Sequence, residues 1–119
     1  MTTVAYALQD MFIGDAIYTW TPLTTTNADG QPAQYQGAGD RVIQAVGTWG
    51  AGGTLIVEGS VDGVNYAPLH NAQGTTISLT ANGLTAVLEN CPYTRARVTA
   101  GDGTTSLTVQ LAVRRVQNG

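Results

Sequence analysis

The sequence predicts an all-β fold: an antiparallel β-sandwich or jelly-roll-like single domain with an N-terminal arm or long loop. Three observations carry this. Runs of Thr, Val, Leu and Ile alternate with polar residues at period two, and turn signals separate the runs every eight to twelve residues. No eleven-residue window after Gly14 has the apolar spacing of an amphipathic helix. Composition agrees, with 18 Thr and 15 Gly in 119 residues. Thr is stiff at its β-carbon and suits a pleated strand, and Gly serves the turns between strands.

Taken in order, residues 4–8 and 16–20 can each form a strand. Residues 24–40 are a 17-residue polar tract rich in Thr, Gln and Gly. A structureless stretch of that length is uncommon inside a compact domain, so it is expected to project as an arm ordered against a neighbour, or as a flexible surface loop. On this reading residues 1–40 are the arm and loop, and residues 41–119 are the sandwich core. Residues 41–49 form a β-run broken by Gly50-Ala51-Gly52-Gly53. Residues 54–61 alternate cleanly, with Leu55, Val57, Gly59 and Val61 on one face and Thr54, Ile56, Glu58 and Ser60 on the other.

Asp62-Gly63 then predicts a tight type I′ hairpin, with residues 64–69 returning and Pro68 at an edge or strand end. Residues 75–80 follow, with Ile77 and Leu79 inward, and Asn82-Gly83 predicts another tight turn. Residues 84–89 place Leu84, Ala86 and Leu88 on one face. Residues 93–100 turn Ala96 and Val98 inward and Arg95, Arg97 and Thr99 outward. After the turn at Gly101-Asp102-Gly103, residues 104–116 form the longest strand, with Leu107, Val109, Leu111 and Val113 on its core face.

Charge and composition exclude several functions. Charged residues are only 11% of the chain, the net charge is −3 and Lys is absent. A domain that holds nucleic-acid phosphates needs a basic face, so no nucleic-acid partner is expected. No run of 18 apolar residues exists, and no basic segment precedes an apolar one near the start, so neither a membrane span nor a secretory leader is expected. A single Cys excludes an internal disulfide framework.

Catalytic parts are scarce. Cys91 and His70 are the only residues of their types, and no local signature surrounds Cys91, which reads as a small buried hydrophobe. Ser60, Ser78 and Ser106 lie in strands, outside any Gly-x-Ser-x-Gly elbow. One His and one Cys cannot supply the four ligands of a zinc site. Asp29, Asp40, Asp62 and Asp102 lie in Gly-containing loops that could admit calcium, but turn chemistry alone explains Asp before Gly. Glu58 and Glu89, the only glutamates, read as solvated strand residues rather than a glycosidase pair. Neither a catalytic residue nor a cofactor is expected.

Binding residues are easier to nominate. Arg95 and Arg97 share a strand face, and Arg114 and Arg115 lie near the end of the chain. Arginine forks suit protein interfaces, so these four are candidate docking residues for an acidic partner, against ordinary solvation as the alternative. Tyr18, Trp20 and Tyr35 in the first forty residues join them as candidate partner contacts. With Trp49, Tyr66 and Tyr93, these aromatics could also stack on sugar rings, although Trp49 ends a strand whose inward partners are Ile43 and Ala45.

Residues 55–69 carry Glu58-Gly59-Ser60 running into Asp62-Gly63, then Tyr66 and Leu69. This resembles a hairpin of small structural proteins of tailed bacteriophages. Residues 93–109 resemble the closing hairpin of the same proteins: an aromatic, Arg and Val in Tyr93-Thr94-Arg95-Ala96-Arg97-Val98, a Gly-rich turn, then Ser106-Leu107-Thr108-Val109. The resemblance spans roughly residues 42–114, and residues 1–40 carry no matching motif. It implies a non-enzymatic virion component, in first place a capsid decoration (cement) protein. Such a protein is made in the bacterial host cytoplasm and lies on the outer capsid surface at capsomer junctions. Its partners would be the major capsid protein and copies of itself, as dimer or trimer. The alternative is a tail or head-fibre module, or a carbohydrate-binding host-adhesion domain, built from the same hairpins.

Overall fold

The computed structural model describes residues 3–10, 16–34, 38–89 and 91–115. Among them are ten strands and no helix. One sheet holds β1 (Tyr6–Asp10), β2 (Ala16–Leu23), β10 (Ser106–Arg115), β4 (Ala38–Thr48) and β8 (Gly83–Ala86), in that spatial order. The second holds β3 (Ala33–Gln34), β9 (Tyr93–Ala100), β5 (Thr54–Ser60) and β6 (Ala67–Pro68), with β7 (Ser78–Leu79) pairing a different part of β5. Every strand pairing is antiparallel. The all-β antiparallel architecture is therefore the one the alternation predicts.

The core is the set of inward residues from both sheets. Trp20, Leu23, Ile43, Ala45, Leu107, Val109, Leu111 and Val113 come from the first sheet, and Leu55, Val57, Ala96 and Val98 from the second. This is the packing of two half-buried sheets face to face, in which each strand contributes every second side chain. Pro68 sits in the short strand β6, beside β5, where its missing donor is tolerated.

The N-terminal region departs from expectation. Strand β2 is interior to the first sheet, paired on one side with β1 and on the other with β10. The polar tract does not project where it is described. Asn27 donates its amide to the Thr24 hydroxyl, and residues 28–34 then run along β9. Gly30 donates to the Ala96 carbonyl at 2.8 Å, and Val98 donates to that of Ala28 at 2.9 Å. Backbone pairing of residues 28–34 with β9 and with Val4 thus holds this part of the tract against the chain's own sheet. Close approach also demands glycine at this crossing. A β-carbon on Gly30 would lie 2.9 Å from both the Trp20 ring and the Ala96 carbonyl. Trp20 itself donates through its indole nitrogen to Gln31 at 2.8 Å.

Two turns also differ from the expected hairpins. Asp62-Gly63 opens a wider loop between β5 and β6 instead of a two-residue type I′ turn. Its shape is set by the Asp62 carboxylate, which accepts the amides of Val64 and Asn65, the Asn65 side-chain amide and the Ser60 hydroxyl, each at 2.8 Å. Asn82-Gly83 closes no hairpin, because β7 belongs to the second sheet and β8 to the first. The chain crosses between sheets there, and the Asn82 side-chain carbonyl anchors it by accepting the Gly47 amide and the Trp49 indole.

Because Trp20 is fully buried, Trp20→Ala should lower stability by about 3–5 kcal/mol. Removing residues 1–23 should abolish cooperative unfolding, since it deletes β2 from beside β10. Urea titrations read both. A truncated chain that still unfolds cooperatively near the full chain's midpoint would show that the N-terminal strands are dispensable.

Candidate functional site

The outer face of the second sheet gathers most of the described ion pairs. Glu58 lies directly opposite Arg95 in the β5–β9 register. Arg95 reaches Glu58 Oε1 through Nε at 3.0 Å and Nη2 at 2.9 Å. Arg97 Nη1 approaches the other carboxylate oxygen at 3.7 Å, and its Nε lies 3.0 Å from Asp29 Oδ1. Tyr66 covers the Arg95 guanidinium, with Cζ 4.1 Å from the ring centroid, a cation–π contact. Glu58 does lie on the face opposite Leu55 and Val57, as the alternation predicts. It is nevertheless 7% exposed, because the arginines and Tyr66 roof it over. Arg95 and Arg97 thus share a face, but carboxylates of this chain engage both. Their first role is to neutralise a buried glutamate rather than to await a partner.

A cleft of about 620 Å³ lies between the β5–β6 loop and the residues that lead into β9. His70, Glu89 and Cys91 all line it. The His70 ring contacts the Glu89 carboxylate through Nδ1, and the His70 amide donates to Glu89 Oε1 at 2.8 Å. Burial raises the Glu89 carboxyl, but the His70 amide and ring outweigh it and hold the group below its ordinary value. A carboxylate that orients an imidazole is one half of a nucleophile-activating array. Cys91, on the same cleft, is not activated as the other half. Burial pushes the Cys91 thiol up, which keeps the sulfur protonated, whereas an attacking cysteine needs its thiolate stabilised. Cys91 packs instead against Gly59, where an added β-carbon would lie 2.9 Å from the sulfur. Among the described residues no group of three His, Cys, Asp or Glu side chains is placed to hold a metal ion.

The first sheet presents a different outer face. Its register aligns Ile17, Ala112, Val42 and Ala86 in one row across β2, β10, β4 and β8, and Thr19, Gln110, Gln44 and Leu84 in the next. Thr108 and Val46 continue the face on β10 and β4, and Thr21 bonds Thr108 hydroxyl to hydroxyl at 2.8 Å. None of these side chains is charged. Leu84 is 65% exposed, and Val46 and the following Leu88 stand open as well. Solvent-facing strands usually carry polar and charged residues. An uncharged strip of Thr, Gln and aliphatic side chains is the composition that a partner can cover without stripping water from ions. Arg114 stands at one end of this face, opposite Asp40 in the register.

The nominated residues therefore separate. Arg95 and Arg97 belong to the second sheet and Arg114 to the first. Arg115 ends β10, with its side chain outside the described set. Tyr18 and Trp20 are corrected from partner contacts to core residues. Trp20 is fully enclosed, and Tyr18 packs edge-on against Tyr6 and donates its hydroxyl to Gln34. Tyr35 lies outside the described residues. Val42, Gln44, Val46 and Leu84 were not singled out by sequence reasoning, although the absence of charge from alternate positions of their strands is a readable signal. Comparison with known proteins finds no matching family model, no similar curated protein and no similar solved structure.

Two loop aspartates give the fold an acid limit. The Thr104 hydroxyl and the Ala51 and Thr104 amides hold Asp102 at about 2, below its ordinary 3.8. The Asn65 and Val64 amides hold Asp62 lower still. Both groups favour the folded state while ionised. Their contribution is complete above an unfolded value near 3.8 and is lost as pH falls through the folded ones. The urea midpoint should hold steady down to about pH 5 and fall below about pH 4. Asp102→Asn should make that fall shallower. An unaltered acid profile in the variant would remove Asp102 from the explanation. Glu58→Ala removes the carboxylate that the half-buried Arg95 and the more open Arg97 share and should lower stability by about 1–2 kcal/mol at neutral pH.

Proposed function

We propose that this chain is a non-enzymatic docking module, and specifically a capsid decoration protein of a tailed bacteriophage that seats the outer face of its first sheet on the shell. The observation that carries the docking reading is the uncharged face formed by β2, β10, β4 and β8, with Leu84, Leu88 and Val46 open to solvent. A rigid sandwich suits a load-bearing role, because the face and the core are opposite sides of the same strands. The decoration role rests in addition on the hairpin resemblance at residues 55–69 and 93–109. The partner on this reading is the major capsid protein, with further copies of the chain as neighbours. Repetition over a shell lets a modest contact at each site suffice.

Carbohydrate binding, the function expected of a fibre or adhesion module, draws less support. A sugar platform needs aromatic faces presented together. Trp20 and Tyr18 are in the core, Trp49 is tied to Asn82, and Tyr66 is stacked on Arg95.

Co-sedimentation with purified shells tests the face. The double variant Gln44→Glu/Leu84→Glu puts two charges on adjacent outward positions and should weaken shell binding at least about tenfold, with little change in the urea midpoint. Arg97→Ala, on the other sheet, should bind as the parent does. Unchanged binding by the double variant would overturn the assignment of this face.

A further inference from the structure

The first sheet ends at β8, and the outer edge of that strand is open. The Val87 amide donates to the Arg41 carbonyl at 3.0 Å, and the β4–β8 register runs on from that pair through Thr85 with Ile43 to Gly83 with Ala45. Hydrogen-bonded and non-hydrogen-bonded pairs alternate along an antiparallel ladder. Thr85 and Gly83 therefore spend their backbone groups on β4, whereas the amides and carbonyls of Leu84 and Ala86 point away from the sheet. Among the described residues no backbone group answers these four. The Thr85 hydroxyl donates to one of them, the Ala86 carbonyl, at 3.4 Å. Further on, the His70 carbonyl accepts the outward amide of Leu88 at 2.8 Å and closes the edge there. The open stretch lacks the usual guards, since natural edges carry charges or proline that stop another strand from adding. On the second sheet, edge strand β6 holds Pro68. Residues 71–88 contain neither a charge nor a proline, and Leu84 and Leu88 stand exposed within them.

We infer that β8 pairs antiparallel with β8 of a second copy of this chain, about a twofold axis through Thr85, so that two first sheets become one. Self-complementarity sets the occupant. In this register Leu84 of each copy lies opposite Ala86 of the other, and the four free groups of one edge meet the same four of its copy in reverse order. In the second copy β8 starts at Gly83, opposite Val87, so the paired stretch stops short of the place beside Leu88 that His70 fills. No like charges are brought together, because the whole run from 71 to 88 is uncharged. Leu84 gains the Ala86 methyl directly across and the Leu84 side chain of the second copy on the diagonal, which gives an exposed leucine an apolar neighbour. The outer rows also join. Ile17, Ala112, Val42 and Ala86 of one copy continue into Leu84, Gln44, Gln110 and Thr19 of the other. The pairing does not depend on what that face docks to. The edge strand has only four residues and buries less than a permanent dimer needs. The copies therefore associate reversibly, with a dissociation constant of about 0.1–1 mM.

Sedimentation equilibrium of the full chain from about 10 μM to about 2 mM reads the association. The parent should pass from monomer to dimer over this range, and the amide resonances of Leu84 and Ala86 should move with concentration while that of Leu88 stays. Ala86→Lys keeps the backbone but sets an ammonium against the second copy, and should weaken the pairing at least about tenfold. Ala86→Pro deletes an outward amide that β4 does not use and should act likewise. Urea midpoints near the parent's show that the variants fold, and the lysine variant decides alone if the proline one does not. Gln110→Lys, on the same face but two strands in from the edge, should associate as the parent does. A parent chain that stays monomeric at the highest concentration overturns the inference, as does association unaltered by Ala86→Lys. Association lost equally in Gln110→Lys overturns it too, since faces rather than edges would then meet. No shell is needed for any of these readouts. Shell binding by a chain that stays monomeric would leave the docking face standing and remove only the pairing.

Discussion

Strand β10 hydrogen-bonds to β2 on one side and to β4 on the other, and the rest of the molecule depends on this double pairing. It joins the end of the chain to its beginning and to its middle within one sheet. The pleat then gives the strand two roles at once. Leu107, Val109, Leu111 and Val113 point into the sandwich and are almost fully buried. Thr108, Gln110 and Ala112 alternate with them along the strand and run down the centre of the uncharged face, and Arg114 stands at its end. A slip of one residue would exchange the two sets, exposing leucines and burying Gln110 and Arg114. The core therefore fixes the face: the apolar demand of one side holds the register that presents the other.

The two outer faces divide the work. On the second sheet, Glu58 sits beneath Arg95, Arg97 and Tyr66, and Asp29 takes the remaining side of Arg97. Those charges are satisfied within the molecule and stabilise the contact between β5, β9 and the segment that carries Asp29. On the first sheet the central rows have no charges to satisfy. Concentrating ion pairs on one side leaves the other free to be covered without stranding an ion. Loops at one end brace the two sheets against each other. Asp102 accepts the Ala51 amide, and Thr105 donates its hydroxyl to the Trp49 carbonyl.

Much of this was readable from residue order, because period-two alternation is a local property. The inward set on β5, β9 and β10 follows from it, except that Val61, expected on the inner face, lies past the end of β5 and is exposed; the sharing of one face by Arg95 and Arg97 follows as well. What could not be read locally is which sheet a strand joins. Residues 75–80 and 84–89 look like two arms of a hairpin about Asn82-Gly83, yet β7 pairs with β5 and β8 with β4. Asn82 acts there as a side-chain acceptor rather than as a turn residue. The polar tract misled for a related reason. Its backbone finds partners on β9, some sixty to seventy residues away, and no composition rule reports a partner at that distance. Trp20 looks like a surface aromatic beside a polar loop, but β10 encloses it. Glu58 was placed on the correct face, while its burial depends on side chains of β9 and on Tyr66, which only the folded arrangement brings above it.

The docking account makes a stoichiometric claim that one measurement addresses directly: the number of copies of this chain per purified virion, by quantitative mass spectrometry against the major capsid protein. A face that repeats over a shell predicts copies in the hundreds, in fixed proportion to the capsid subunit. A count of a few to some tens would contradict a shell role and move the chain to the tail or to vertex fibres. Absence from the particle would contradict the virion assignment itself.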